Sequence, residues 1–150
     1  MNVKNPQLLW RKCNMSPNLF HKLGELNRRR KLQCLAKLDE MQRTIARLDA
    51  RIADNEQARK QALLSIKQAM LHLTLLQSVG TQEVYDVRLL EAAMRRNILQ
   101  LETEAEQYQK DKIRHESEAQ DLRKIARYFG VKEEKMVRAG ARSQKDTCQH

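Results

Sequence analysis

The side chains able to do chemistry are four histidines, three cysteines and a run of alternate glutamates. His21, His72, His115 and His150 are scattered, and none sits in a His-Glu-x-x-His arrangement that would put two ring nitrogens and a base on one helix face. His115 falls beside Lys112 on an apolar stripe, where protonation could couple to packing; a partly exposed coiled-coil histidine is the simpler reading. Glu102, Glu104 and Glu106 alternate along the chain. On a helix such residues do not share one face, so they read as a solvated surface and not as a paired acid and base. Neither a Gly-x-x-x-x-Gly-Lys phosphate loop nor a Gly-x-Gly-x-x-Gly turn occurs. Cys13, Cys34 and Cys148 are odd in number and lack Cys-x-x-Cys spacing, which argues against a disulfide framework or a zinc site and for free thiols in a reducing compartment. The expectation is a chain with no catalytic residues, no metal, no cofactor and no small-molecule substrate, and so not an enzyme.

The densest charged cluster is Arg28-Arg29-Arg30-Lys31, a run that could bind phosphate. Aromatic residues that could stack on bases do not interleave with it in the sequence. Leu32, Leu35 and Leu38 follow it, as a zipper follows a basic region. A zipper needs a parallel dimer, and the rest of the chain argues for a different pairing.

The elements that must carry these residues are helices. The chain is 41% apolar, 32% charged and only 4% aromatic, with four Gly and two Pro in 150 residues. That mix suits long helices with a narrow seam, not a layered core. From Leu26 to Gln77 there is neither Pro nor Gly. Leu38, Ile45, Ile52, Ile66 and Leu73 fall at heptad position a, and Cys34, Met41, Leu48, Ala62, Ala69 and Leu76 at d. Of the 14 a and d sites from Lys31 to Leu76, 11 are apolar, the exceptions being Lys31, Asn55 and Arg59. A second heptad stretch places Val84, Glu91, Ile98, Ala105, Lys112, Ala119 and Ala126 at a, and Val87, Met94, Leu101, Tyr108, His115, Leu122 and Phe129 at d.

Between the stretches lies Ser78-Val79-Gly80-Thr81. Gly80 suits a left-handed residue closing one helix, and Thr81 an N-cap opening the next, with Glu83 and Asp86 in its first turn. So short a connection forces antiparallel neighbours. The predicted fold is all-α: a long antiparallel two-helix coiled-coil hairpin over residues 21–130, with flexible basic ends. One helix runs over about 26–77, a turn over 78–81 and a second helix over about 82–129, capped by Gly130. Residues 1–20, with Pro6 and Pro17, form a flexible arm, and residues 131–150 a basic tail that frays beyond Gly140. Pairing residues have numbers that sum to roughly 160, which sets Arg59 near Glu102 and Asn55 near Glu104, polar seam contacts that fix register. A hairpin that fills its own seam is expected to be monomeric when free.

The net charge of +10 is unevenly placed. Residues 1–31 hold eight Lys or Arg and one Glu, residues 123–145 hold eight and two, and residues 32–122 hold 13 positive and 15 negative side chains. The hairpin brings the two basic stretches to one pole, leaving a near-neutral apolar turn at the other. A basic pole points to nucleic acid or to an acidic protein or membrane surface. No run of 18 apolar residues exists to span a bilayer, and Arg11, Lys12 and Asn14 interrupt any signal-like stretch at the start, so a cytoplasmic protein is expected.

Over residues 20–140 the pattern resembles the central-stalk family of type III secretion systems, of the YscO/FliJ/InvI type. The resemblance is carried by Gln82-Glu83-Val84-Tyr85 followed by Leu89, Leu90, Arg95, Arg96, Ile98, Leu101 and Glu102. It is carried also by the opening Lys22-Leu23 to Arg28-Arg29-Arg30, and by Arg127-Tyr128-Phe129 to Lys132. The arm before residue 20 departs from the family. The resemblance implies a stalk inserted in the pore of the hexameric export ATPase at the cytoplasmic base of a bacterial secretion apparatus. It also implies contacts with the cytoplasmic domain of the export-gate membrane protein and, in some members, with secretion chaperones. On that reading Arg28, Arg29, Arg30, Lys31, Arg123, Lys124 and Arg127 face the ATPase, and Leu76, Val79, Val84 and Tyr85 face the gate. The alternatives are a basic coiled coil that binds nucleic acid and an adaptor that pairs with another helix.

Overall fold

The computed structural model describes residues 16–75, 78 and 80–148. Two helices make up the described chain, α1 over Pro17–Leu75 and α2 over Thr81–Thr147. They pack antiparallel as an all-α hairpin, and no strand occurs among the described residues. Among the described residues no helix is long and apolar enough to cross a membrane. The chain divides into two compact units, one of residues 1–40 with 119–150 and one of residues 41–118.

Both helices run further than the apolar pattern indicates. α1 starts at Pro17, not near Leu26, because Ser16 caps it: the Ser16 carbonyl accepts from the backbone N–H of Leu19 at 2.8 Å and of Phe20 at 3.4 Å. Proline suits this first helical position, where its missing N–H leaves no bond unmade. The rest of the expected arm, residues 1–15, lies outside the described residues. α2 does not stop at Phe129. Gly130 is an interior residue, not a cap, and the helix continues through the expected tail to Thr147.

The opening of α2 also differs. No described glycine has a positive φ, so Gly80 is not a left-handed stop for α1. It is instead the N-cap of α2, its carbonyl accepting from Val84 N–H at 3.2 Å. The Glu83 carboxylate reaches back to accept from Gly80 N–H at 3.2 Å, the return half of a capping box. Thr81 is therefore the first helical residue and not the cap.

In the unit of residues 41–118, every described a and d site is buried or half-buried, and Ala62 and Asn55 are the deepest at 6% and 7% exposed. Arg59 reaches Glu102 at 3.7 Å, as the register requires. The side chains are 40% and 48% exposed, so water screens the pair and it adds little energy.

In the unit of residues 1–40 and 119–150, Ala119 and Ala126 are buried and the heptad extends outward at both ends. Pro17, Phe20, Gly24 and Asn27 continue the a and d sites of α1, and Glu133, Met136, Gly140 and Ser143 those of α2; all are buried or half-buried. Large residues here face small ones. A Cβ on Gly24 would lie 3.7 Å from Met136 Cβ, and one on Gly140 would lie 3.5 Å from Phe20 Cβ. These contacts hold the helix across glycines that propensity alone would penalise.

Because 3.7 Å is ordinary contact and Gly24 has helical φ, Gly24→Ala is expected to stabilise the protein by about 0.5–1 kcal/mol. Urea denaturation would measure it. A loss of stability would mean that the helices approach too closely there to admit a methyl group.

Candidate functional site

Charge separates the two units. Residues 1–40 and 119–150 hold seventeen Lys or Arg against seven Asp or Glu, whereas residues 41–118 hold twelve of each, so the first unit carries the whole net charge. Among its described residues the count is fourteen against seven.

The expected basic residues are placed in three ways. Arg28 and Arg29 are exposed on α1, and Arg28 lies 3.7 Å from Glu25 one turn earlier. Lys124 is exposed and 3.5 Å from Asp121. Arg30 turns across to α2, its guanidinium 5.7 Å from the centroid of the Phe129 ring. Phe129 meets Tyr128 edge to face at 5.5 Å, and Lys132 Nζ sits 4.5 Å from the Tyr128 centroid. The result is a row of cation, two rings and cation drawn from both helices. Aromatic residues absent from the Arg28–Lys31 run in sequence are thus supplied by the opposite helix.

Lys31, Arg123 and Arg127 converge on one groove of about 270 Å³, shared with Leu35, Leu38, Ala126 and Gly130. Lys31 is half-buried at its a site. Its ammonium donates to Glu133 Oε2 at 3.1 Å while its stem passes Gly130. Such placement keeps a lysine in a seam by burying the methylenes and letting the charge escape. Arg29, Arg123 and Arg127 form no ion pair among the described residues. Glu133 was not singled out in the sequence reading, and its place in the continuing heptad is the signal that would have found it.

Of the residues expected to face a gate, Leu76 and Val79 lie outside the described residues. Val84 is half-buried and lines a second groove, of about 540 Å³, with Met70, Leu73 and Val87. Tyr85 is exposed. Leu71, Leu75, Leu89 and Leu90 are exposed as well. They stand off the a and d seam, which is how the sequence alone could have marked them.

The seam of the unit of residues 41–118 holds its polar groups by crossing to the facing helix. Lys112 Nζ lies 2.6 Å from Asp49 Oδ1, Arg51 lies over Tyr108 at 5.8 Å, and His115 Nδ1 is 3.0 Å from Met41 Sδ, with Glu118 of its own helix at 3.7 Å. Among the described residues no group of three or more His, Cys, Asp or Glu could hold a metal. Cys34 is half-buried and Cys148 exposed, both as free thiols. This arrangement can fix register and present cations and apolar surface to another macromolecule. No family model, curated protein or solved structure matches this chain.

The hydrogen bond to Asp49 raises the Lys112 pKa above its ordinary 10.5, helped by attraction to Asp49 and Glu116 and opposed by desolvation. A raised lysine pKa means that the contact contributes in full below pH 10.5 and is lost as pH rises through the folded-state value. Asp49→Asn is therefore expected to lower stability by a constant amount across neutral pH, with the gap from the parent closing only above 10.5. Denaturation midpoints of the two proteins from neutral to strongly alkaline pH would check this. A gap that closed near neutrality would exclude Lys112 as its source.

Proposed function

We propose that this chain is the central stalk of a type III protein secretion apparatus, working at its cytoplasmic base. On this reading the basic unit inserts into the hexameric export ATPase, and the neutral unit meets the cytoplasmic domain of the export gate. The observation that carries the reading is the confinement of the net charge to one unit of a helical hairpin, while the other offers exposed leucines and a tyrosine around its turn. Two surfaces of unlike chemistry suit a chain that joins two unlike partners. Exposed Arg28 and Arg29, with the Arg30 row beside them, suit an acidic or polar ring surface, where complementary charge speeds and orients docking. The sequence resemblance supplies the identity of that ring and of the gate.

A second reading, binding of nucleic acid, draws on the same cations and on the Arg30–Phe129–Tyr128–Lys132 row. Tyr128 is exposed but Phe129 is half-buried against Arg30, so the row offers one stacking face and not the succession that single strands favour. Retention of nucleic acid that weakens steeply with salt would favour this reading.

The deciding experiment titrates the protein into the purified export ATPase and follows ATP hydrolysis. Stimulation saturating at one chain per hexamer is expected. The triple variant Arg28→Glu, Arg29→Glu and Arg30→Glu is expected to abolish stimulation with helical circular dichroism retained, since among the described residues the ion pair it breaks is a surface one. Full stimulation by a folded triple variant would remove the basic cluster from the ATPase interface.

A further inference from the structure

The groove beside Lys31 has a composition that a two-helix seam does not need. In a self-sufficient pair of helices the e positions flanking the seam carry charges that shield it. Here the e sites include Leu35, which is 41% exposed, and Gly130, which has no side chain. Leu32, three residues before Leu35 on the same face, is 53% exposed. Leu38 and Ala126 floor the groove from the seam itself.

Gly130 is not required by the hairpin. A Cβ there would lie 3.7 Å from Lys31 Cδ, an ordinary contact, so alanine would fit and would favour the helix. What glycine provides instead is open space in the groove wall, where a side chain from outside can reach the floor. Arg123 and Arg127 stand at the rim one helical turn apart, exposed and without an ion pair among the described residues.

We propose that this groove seats an amphipathic helix of a partner protein, its leucines on Leu35, Leu38 and Ala126 over the gap at Gly130, and its carboxylates, spaced one turn apart, on Arg123 and Arg127. The aliphatic floor favours a protein helix over nucleic acid, because no aromatic ring lines the groove and its floor is leucine and alanine. The rim sets the sign of charge, and its one-turn spacing matches acidic residues three or four apart on the incoming helix. A second copy of the chain is a poor occupant, since the surrounding unit carries the whole positive surplus. The seat goes beyond the stalk reading and needs no ATPase to be observed.

The test uses the full-length ¹⁵N-labelled protein and a synthetic helical peptide of about five turns, with leucines along one face and glutamates flanking them one turn apart. A second peptide carries lysine for every glutamate. At low salt the acidic peptide is expected to bind, with amide shifts centred on Leu35, Ala126, Arg127 and Gly130, and the lysine peptide is not. Arg123→Glu with Arg127→Glu is expected to weaken the acidic peptide by about tenfold or more and to admit the lysine peptide. Gly130→Leu, which fills the gap, is expected to block binding, whereas Gly130→Ala leaves most of it. Circular dichroism of each variant checks that the helices remain.

Several results would overturn the seat: no binding of the acidic peptide, shifts centred on Arg28–Arg30, or equal binding to the Gly130→Leu variant. So would an oligonucleotide of equal charge giving the same shifts and the same sensitivity to Gly130→Leu. Sedimentation showing a dimer of the free protein that Gly130→Leu dissociates would assign the groove to a second copy instead. The stalk reading is tested by the Arg28–Arg30 variant in the ATPase assay and the seat by peptide binding without ATPase, so failure of the seat and failure of the stalk reading remain distinguishable.

Discussion

Everything in the described part of this molecule follows from burying side chains between two helices. A seam of that width can cover one face of each residue, and no large side chain is fully enclosed among the described residues. The deepest apolar positions are alanines, Ala62, Ala119 and Ala126, where the backbones come close enough to exclude water. Fully burying a leucine or isoleucine contributes about 1.5–3 kcal/mol, and the half-buried Leu38, Ile45 and Ile52 collect only part of that. Stability must then come from repetition of many modest contacts along the seam. The same openness makes polar seam residues tolerable. Lys31, Arg59 and Lys112 occupy a sites, yet each reaches a carboxylate on the facing helix while its stem stays in the seam. In a closed core those ammonium and guanidinium groups would carry a desolvation cost that pairing rarely recovers.

The middle of the hairpin was legible because most of its a and d sites hold Leu, Ile, Met, Val or Ala, whose period is visible without any structure. The turn was legible from Gly80 and the loss of pattern around it, although the role of Gly80 changed from helix stop to helix cap. The two helix ends were not legible. There the same sites hold Gly24, Asn27, Glu133, Gly140 and Ser143, which no apolar count registers. Gly24 and Gly140 disfavour a helix by propensity, but each faces a large side chain, Met136 and Phe20, and that packing outweighs propensity. Pro17 read as part of a loose arm because the capping role of Ser16 shows only when the helix begins. Among the basic residues, sequence identified the cations but not their company. The placement of Arg30 on Phe129, or of Lys31 on Glu133, depends on the register between chain segments about a hundred positions apart, a tertiary fact with no local signature.

The placement of charge adds a second constraint. In the unit of residues 41–118 acids and bases balance, and Arg59 with Glu102 and Lys112 with Asp49 pair across the seam, so its electrostatics favour the folded hairpin. In the other unit the surplus of cations repels itself, and compactness there is opposed at low salt. Its seam also carries Gly24, Asn27, Lys31, Glu133 and Gly140 at a and d positions. Neither property improves a free-standing hairpin. Both become sensible if an acidic surface is present, because any partner that binds the paired helices and not the separated ones stabilises the pairing in proportion to its affinity. With such a partner, recognition and folding of the basic unit become one equilibrium. Arg123 and Arg127, which form no ion pair among the described residues, stand at the rim of the apolar groove where that coupling would act.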